Sequence, residues 1–382
     1  MGSPQMIPFN RPYVSELDRT YIAAALDSGL LTGDGPFTER ASSLLSPLVG
    51  GATCQLITSC THALEMTAIL LDLELGDEVI LPSFTFVSTA NAYALRGAVP
   101  VFVDCRPDTL NLDETLIESA ITSRTRAIVV VHYAGVACEM DEILEIAERH
   151  DLVVIEDNAH GLTGTYRGRP LGSFGTFATQ SFHATKNIQC GEGGALVIND
   201  ETAVARCEIL REKGTNRSQF FRGQVDKYRW VDLGSSYLPS DILAAHLTAQ
   251  LEQIGTIQAS RHRVWNRYNE ELRAWAEQHS VRLPVVPEHT EHPAHLFQLM
   301  MPSAEDRTAL LDHLSERGVM GTFHYVPLDT SPAGLRYGRT AEGGCPVTED
   351  VSVRLLRLPL FADLTHDEVG TVVDAVTSFV PR

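Results

Sequence analysis

Residues 152–160 read Leu152-Val153-Val154-Ile155-Glu156-Asp157-Asn158-Ala159-His160. Four apolar residues in a row, three of them β-branched, describe a strand covered on both faces. The run then breaks into two carboxylates, an amide and an imidazole. In an open α/β sheet, ligands bind outside the carboxyl ends of the strands, and Asp157 sits at such an end. The same unit repeats on either side. Upstream, residues 54–58, 78–81, 99–103 and 127–132 read as strands. Residues 61–73, 114–121 and 139–150 carry apolar positions at helical spacing between them. Downstream, Tyr166-Arg167-Gly168-Arg169-Pro170 is a turn, and residues 176–183 and 195–199 are two further strands. Seven strands alternating with helices predict an α/β fold with a mostly parallel sheet and helices on both faces.

A long helical region over residues 242–279 follows. Residues 295–301 and 321–325 look like strands flanking a helix at 304–317. The chain is therefore expected to form a large domain over residues 7–259 and a smaller α/β domain over 260–382. There are no internal repeats and no low-complexity stretch. Met1-Gly2-Ser3-Pro4-Gln5 resembles a cloning remnant, with Met6 as a natural start.

At 382 residues and 44% apolar, the chain can bury a sizeable core. A formal charge of -19 argues against a nucleic-acid partner, whose phosphates would be repelled. Small phosphorylated ligands stay open, because they need only a local positive site. Seven cysteines without a CxxC pair, and no secretory signal, favour reduced thiols and the cytoplasm. No apolar run reaches the length of a membrane span.

Only Lys186, Lys213 and Lys227 are lysines among 30 basic residues, so an imine-forming enzyme has three candidates. Lys186 lies in Ser181-Phe182-His183-Ala184-Thr185-Lys186-Asn187, just past a strand and before Gly191-Glu192-Gly193-Gly194. An amine partly desolvated there has its pKa lowered toward what a nucleophile needs. The bland alternative is a surface lysine. Lys213 precedes Gly214 at a helix end, where a cation suits the dipole, and Lys227 lies in a polar loop. Asp157 can hold a pyridinium nitrogen protonated, making the ring an electron sink, or it can cap a following helix. His160, three residues on, can bond a ring substituent. Adjacent strand residues point to opposite faces, which weakens a paired-carboxylate role for Glu156 and Asp157.

Thr58-Ser59-Cys60-Thr61-His62-Ala63 joins a strand to a helix, so its free N–H groups can bind phosphate, or Ser59 or Thr61 is a plain N-cap. In Pro82-Ser83-Phe84-Thr85-Phe86-Val87, Phe86 can stack on a flat ring or fill the core. His289, His292 and His295 have no partner cysteine or carboxylate pattern, and chance explains their spacing better than a metal. Neither GxGxxG after a strand nor GxxxxGK[ST] occurs, so nicotinamide and P-loop readings lose support.

Together these motifs resemble the DegT-type sugar aminotransferases of pyridoxal-phosphate (PLP) fold type I. The resemblance runs from Ile7-Pro8-Phe9-Asn10-Arg11-Pro12 through Leu30-Leu31-Thr32-Gly33-Asp34-Gly35-Pro36 to Phe323-His324-Tyr325-Val326-Pro327-Leu328, and S-F-H-x-x-K-N…G-E-G-G is its most specific part. It implies that Lys186 bonds the cofactor aldehyde, Asp157 pairs with the pyridine nitrogen, His160 lies near the ring and Phe86 stacks on it. Cys60, Thr61 and Ser181 would take the phosphate. It also implies glutamate as amino donor and a homodimer with active sites at the interface.

Residues 211–220 and 223–228 look like the branch acting at C4 of TDP-4-keto-6-deoxyglucose. That branch includes the common-antigen transaminase and antibiotic-pathway enzymes such as that for calicheamicin. Many relatives carry Asn within G-Y-N-Y-R, reaching the partner's phosphate; here the run is Gly234-Ser235-Ser236-Tyr237-Leu238, with Ser236 as the substitute. The alternatives are a 3-aminotransferase on a related nucleotide sugar, a non-catalytic PLP-binding regulator and, more distantly, an NAD-dependent sugar oxidoreductase. Lys186 argues against the related 3-dehydratases, which carry histidine at that position.

Overall fold

The computed structural model of the chain describes residues 6–382, and the stretch Met1–Gln5 lies outside them. In the first half the strands are β1 (Thr53–Ile57), β2 (Glu78–Pro82), β3 (Val99–Val103), β4 (Thr125–Val131), β5 (Val153–Asp157), β6 (Thr165–Tyr166) and β7 (Arg169–Pro170). They continue with β8 (Phe177–Ser181), β9 (Gly194–Ile198), β10 (Thr290–Glu291), β11 (Phe297–Met300), β12 (Arg339–Thr340) and β13 (Leu355–Leu358). The large sheet has the order β1-β9-β8-β5-β4-β2-β3-β12. Every pairing from β8 to β12 is parallel, and β9 alone runs against its neighbours β1 and β8. The seven strands expected are all present, and β12 makes an eighth.

That eighth strand comes from far along the chain. Arg339 reaches Glu78 at the start of β2, at 2.7 and 3.0 Å, and Arg124 meets the same carboxylate at 2.8 Å. Burial opposes a charge on Glu78, but hydrogen bonds from Arg339, Thr122 and Arg124 outweigh it and hold the carboxyl at about 2. Two residues of strand thus latch onto the sheet edge through a buried ionic anchor, which apolar patterning cannot reveal.

Helices cover both faces of the sheet, and separate apolar clusters fill the two sides. The turn over 166–170 is the β6–β7 hairpin, with Arg167 and Gly168 both left-handed (φ 50° and 78°). That two-residue geometry follows the twist of the paired strands. Residues 242–279 form three helices, Asp241–Glu252, Ile254–Glu271 and Arg273–Gln278, parted at Gln253 and Leu272. The breaks spare the apolar spacing, so the sequence reads as one helix.

The smaller layer contains the helix Ala304–Glu316, as expected, but its strand pair is β11 with β13. The strand expected at 321–325 is corrected: only Thr322 bridges to Arg357, while Phe323 is 52% exposed. Leu355–Leu358 is nearly all buried and takes the place beside β11. Ile7 pairs with Val319 in this layer. Among the described residues, no helix is long and apolar enough to cross a membrane.

Candidate active site

Because β1, β2, β4, β5 and β8 run the same way, their carboxyl ends converge on one edge of the sheet. A cavity of ≈ 460 Å³ opens there, with His295, His324, Tyr325 and Arg357 of the second layer forming its other wall. Sequence-predicted Cys60, Thr61, Phe86, Asp157, His160, Ser181 and Lys186 all line it.

At one end lies the N-terminus of the helix Cys60–Leu70. Ser59 is its N-cap, its hydroxyl accepting from the His62 N–H at 3.1 Å. Capping and anion binding are therefore compatible here, because the hydroxyl serves one orphan donor and leaves others free. The Thr61 and Ser88 hydroxyls sit 2.7 Å apart beside these donors, and Ser181 faces them from the end of β8. Gly194 closes the back of this cradle. A Cβ on it would lie 2.4 Å from the Cys60 nitrogen, so only glycine lets β9 approach the helix end so closely.

Asp157 is the last residue of β5 and is 5% exposed. No helix follows it; residues 159–163 are turns. Its carboxylate accepts from the Thr89 hydroxyl at 2.8 Å and from the Ala159 N–H at 3.3 Å. Burial pushes its pKa up despite these bonds and the Lys186 charge. The Cys60 thiol lies 3.9 Å from Asp157 and 3.4 Å from the Thr179 hydroxyl. Burial raises that thiol's pKa, so it stays protonated and is a poor nucleophile. Glu156 points to the opposite face, accepting from the Gly172, Phe174 and Gly175 N–H groups and meeting His132 at 3.0 Å.

Lys186 faces the cavity, and enclosure lowers its amine to about 8, with Cys60 and Asp157 opposing that fall and Arg357 adding to it. Lys213 pairs with Glu212 at 2.9 Å beyond the helix Val204–Arg211, and Lys227 is exposed. Burial keeps His160 neutral, and its Nδ1 is enclosed without a partner. Its ring stacks on His295, centroids 4.2 Å apart. Phe86 is 57% exposed and lines the cavity, so it is not a core side chain. Ser236 is exposed, bridges to Glu212 and is not among the residues lining this cavity.

The sequence reading missed Ser88, His295, His324, Tyr325 and Arg357. Ser88 lies in the first turn of the helix Val87–Ala94, whose N-cap is Phe86, and no spacing in the sequence singled it out. The others come from the second layer, where only the fold reveals their proximity. The three histidines of the HxxHxxH series part company: His289 meets Glu139 at 3.2 Å, His292 packs on Trp265, and His295 bonds Asn187 at 2.8 Å.

A buried acid at a strand end, an amine with a lowered pKa and a helix N-terminus share one cavity, and residues 12–377 match the DegT/DnrJ/EryC1/StrS aminotransferase family. The chain belongs to that family. It is 34% identical over 380 residues to MJ1066, an uncharacterized protein of Methanocaldococcus jannaschii, covering 98% of this chain and 97% of that one. The aminotransferase TlmJ of Streptoalloteichus hindustanus is 30% identical over 98% of both chains, with a TM-score of 0.89. Spr1654 of Streptococcus pneumoniae, solved in a PLP form, is 27% identical over 98% of both chains, also with a TM-score of 0.89. The protein is thus a PLP-dependent sugar aminotransferase of fold type I. The cavity fits that cofactor. It has a helix N-terminus whose free backbone N–H groups suit a phosphate, an enclosed carboxylate whose pKa burial raises, and a buried imidazole nitrogen left unpartnered.

Proposed function

We propose that the enzyme moves the amino group of glutamate to the C4 ketone of TDP-4-keto-6-deoxyglucose, giving a TDP-4-amino-4,6-dideoxyhexose. Lys186 and Asp157 facing one cavity carry the chemistry. Residues 211–228, with their likeness to the C4 branch, support the substrate. Cys60, Thr61, Ser88 and Ser181 hold the cofactor phosphate. Asp157 holds a proton on the ring nitrogen, His160 lies near the ring, and Phe86 covers a face. When bound, PLP supplies the electron sink that makes a proton beside the nitrogen removable. Lys186 Nζ, lowered to about 8, has a usable neutral fraction near pH 7. It takes the proton from the donor's α-carbon and, in the second half, returns one to C4 of the sugar. The two halves are formally reversals, so one base serves both.

A homodimer suits the surface. Phe221 and Trp230 are 70% and 79% exposed on the segment that folds back through the Thr215–Trp230 and Glu212–Ser236 bridges. A second copy over this segment buries those rings and brings Ser236 toward the partner's cofactor phosphate. The same function places the enzyme in cytoplasmic deoxysugar synthesis of the kind that serves antibiotic pathways.

The test is incubation with TDP-4-keto-6-deoxyglucose and glutamate, followed by NMR of the product. Nitrogen at C4 is expected, and the coupling constant there separates the gluco from the galacto epimer. Nitrogen at C3, or no turnover, overturns the assignment.

A further inference from the structure

Threonines on the helices of this chain tend to spend their hydroxyls locally. Those of Thr20, Thr308, Thr371 and Thr377 donate to the carbonyl four residues back, at 2.9–3.0 Å. Such back-bonding is an ordinary use of a hydroxyl inside a helix. Thr89, in the first turn of the helix Val87–Ala94, departs from it. Its side chain is fully buried, and its hydroxyl donates to Asp157 Oδ2 at 2.8 Å, on a strand 68 residues further along.

Proton counting fixes the direction of this contact. A hydroxyl has one proton to give, and an ionised carboxylate only accepts, so the Thr89 proton is committed to Asp157. The Thr85 hydroxyl lies 3.0 Å from that of Thr89 and is therefore the donor between them. Both threonines are buried, and the result is a one-way chain from Thr85 through Thr89 to Asp157, in which each bond polarises the next. The other donors to this carboxylate are poorer. The Ala159 N–H reaches Oδ1 at 3.3 Å and the Cys60 thiol at 3.9 Å. Burial works against the Asp157 charge, and among the influences that favour it the Thr89 bond comes ahead of the Lys186 amine.

Thr85 and Asp157 line the cavity, and Thr89 is not among the residues that do. It meets a bound cofactor only through the acid. Its neighbours face other parts of the same space: Phe86 lines the cavity, and Ser88 sits 2.7 Å from Thr61 at the helix end that suits an anion. One turn of chain thus touches the cradle at several points.

We propose that Thr89 is a positioning residue for the cofactor's ring nitrogen, acting through Asp157: its hydroxyl, fed by Thr85, holds the carboxylate fixed and charged where that nitrogen arrives. The proposal rests on Asp157 serving as the ring acid, and not on the amino donor or the sugar. A carboxylate held in this way keeps the ring proton in place, and that proton makes the ring an electron sink. Without the hydroxyl the charged carboxylate loses its best donor, and its grip on the ring proton weakens.

The experiment titrates each cofactor-stripped protein with PLP and with its 1-deaza analogue, in which CH replaces the ring nitrogen. The two share phosphate, aldehyde and ring face, so the ratio of their affinities isolates the ring nitrogen. Wild type should favour PLP, and Thr89→Val, of nearly the same shape, should lose about tenfold of that preference. Thr89→Ser keeps the hydroxyl and should recover it. Thr85→Val removes only the polarising donor and should lose a smaller part; it asks the same question if Thr89→Val does not fold. In Asp157→Asn the preference should collapse, and adding Thr89→Val to it should change the ratio by less than about twofold. Equal losses for both cofactors in Thr89→Val make the residue a plain packing group and overturn the proposal. An undiminished preference in the valine variants, or a serine variant no better than valine, does the same. A wild type indifferent to the ring nitrogen, or a full preference in Asp157→Asn, overturns the ring-acid reading itself and the proposal with it, so the two failures are told apart.

Discussion

Replacing Lys186 by methionine should make the cofactor-free protein more stable while abolishing turnover. The side chain keeps its length and loses its charge. Enclosure lowers the amine from 10.5 to about 8, a shift that at ~1.4 kcal/mol per unit costs the folded state about 3 kcal/mol whenever the amine is charged. The sign follows from proton counting. Below pH 8 both folded and unfolded chains carry the proton, so the folded chain bears the whole penalty. Between pH 8 and pH 10.5 the folded chain has released the proton and the unfolded chain has not, so the penalty shrinks as pH rises. Above 10.5 it is gone. Lys186→Met should therefore gain about 3 kcal/mol in urea unfolding at pH 7 and almost none of that charge-dependent part above pH 10.5. Any gain from the apolar side chain itself is independent of pH and cancels in the comparison. Equal stabilities at pH 7, or a gain unchanged at high pH, refute the claim that this amine is held in a poorly solvated place. Turnover in the same variant removes Lys186 from the chemistry.

Asp157→Asn should lower turnover by about 10²–10³-fold while raising the apo melting temperature, because it deletes a buried charge whose pKa is pushed up; unchanged rates make the residue structural. Gly194→Ala places a methyl 2.4 Å from the Cys60 nitrogen, so cofactor affinity should fall by at least about 10-fold in a titration with PLP. Undiminished affinity would remove the helix end from the phosphate cradle. His160, His295 and His324 stay neutral when folded but take up protons near pH 6.5 when unfolded. They should weaken the fold as pH drops from 7.5 to 5.5, and His295→Gln should flatten that slope; an identical slope speaks against their burial.

The large sheet was legible because its strands are continuous apolar runs closed by polar residues. Leu152–Ile155 followed by Asp157 shows this within nine positions. Lys186 stood out because lysines are scarce, and the glycines after it marked a place where backbones meet closely. The second layer was harder. Leu355–Leu358 is only four residues long and follows directly on the helix Pro346–Arg354, so nothing in the local pattern marks it as a separate strand. Residues 321–325 had strand-like composition but contribute only a bridge at Thr322. Arg357, His295 and His324 reach the cavity through pairing between distant segments, which no local pattern encodes. Phe86 reversed its simplest expectation: an aromatic after a strand usually enters the core, and this one is left open beside the cavity.

Ile7 donates to Gly318 and accepts from Met320, so one of the earliest described residues is bridged to a segment more than 300 residues further along the chain. Ring closure over such a span is entropically slow compared with forming the local helices. During synthesis the floor holding Asp157 and Lys186 emerges well before the wall bearing His324 and Arg357. A ribosome-bound intermediate can therefore present the vitamin-binding face uncovered, and only the last part of the polypeptide turns that open shelf into a chamber.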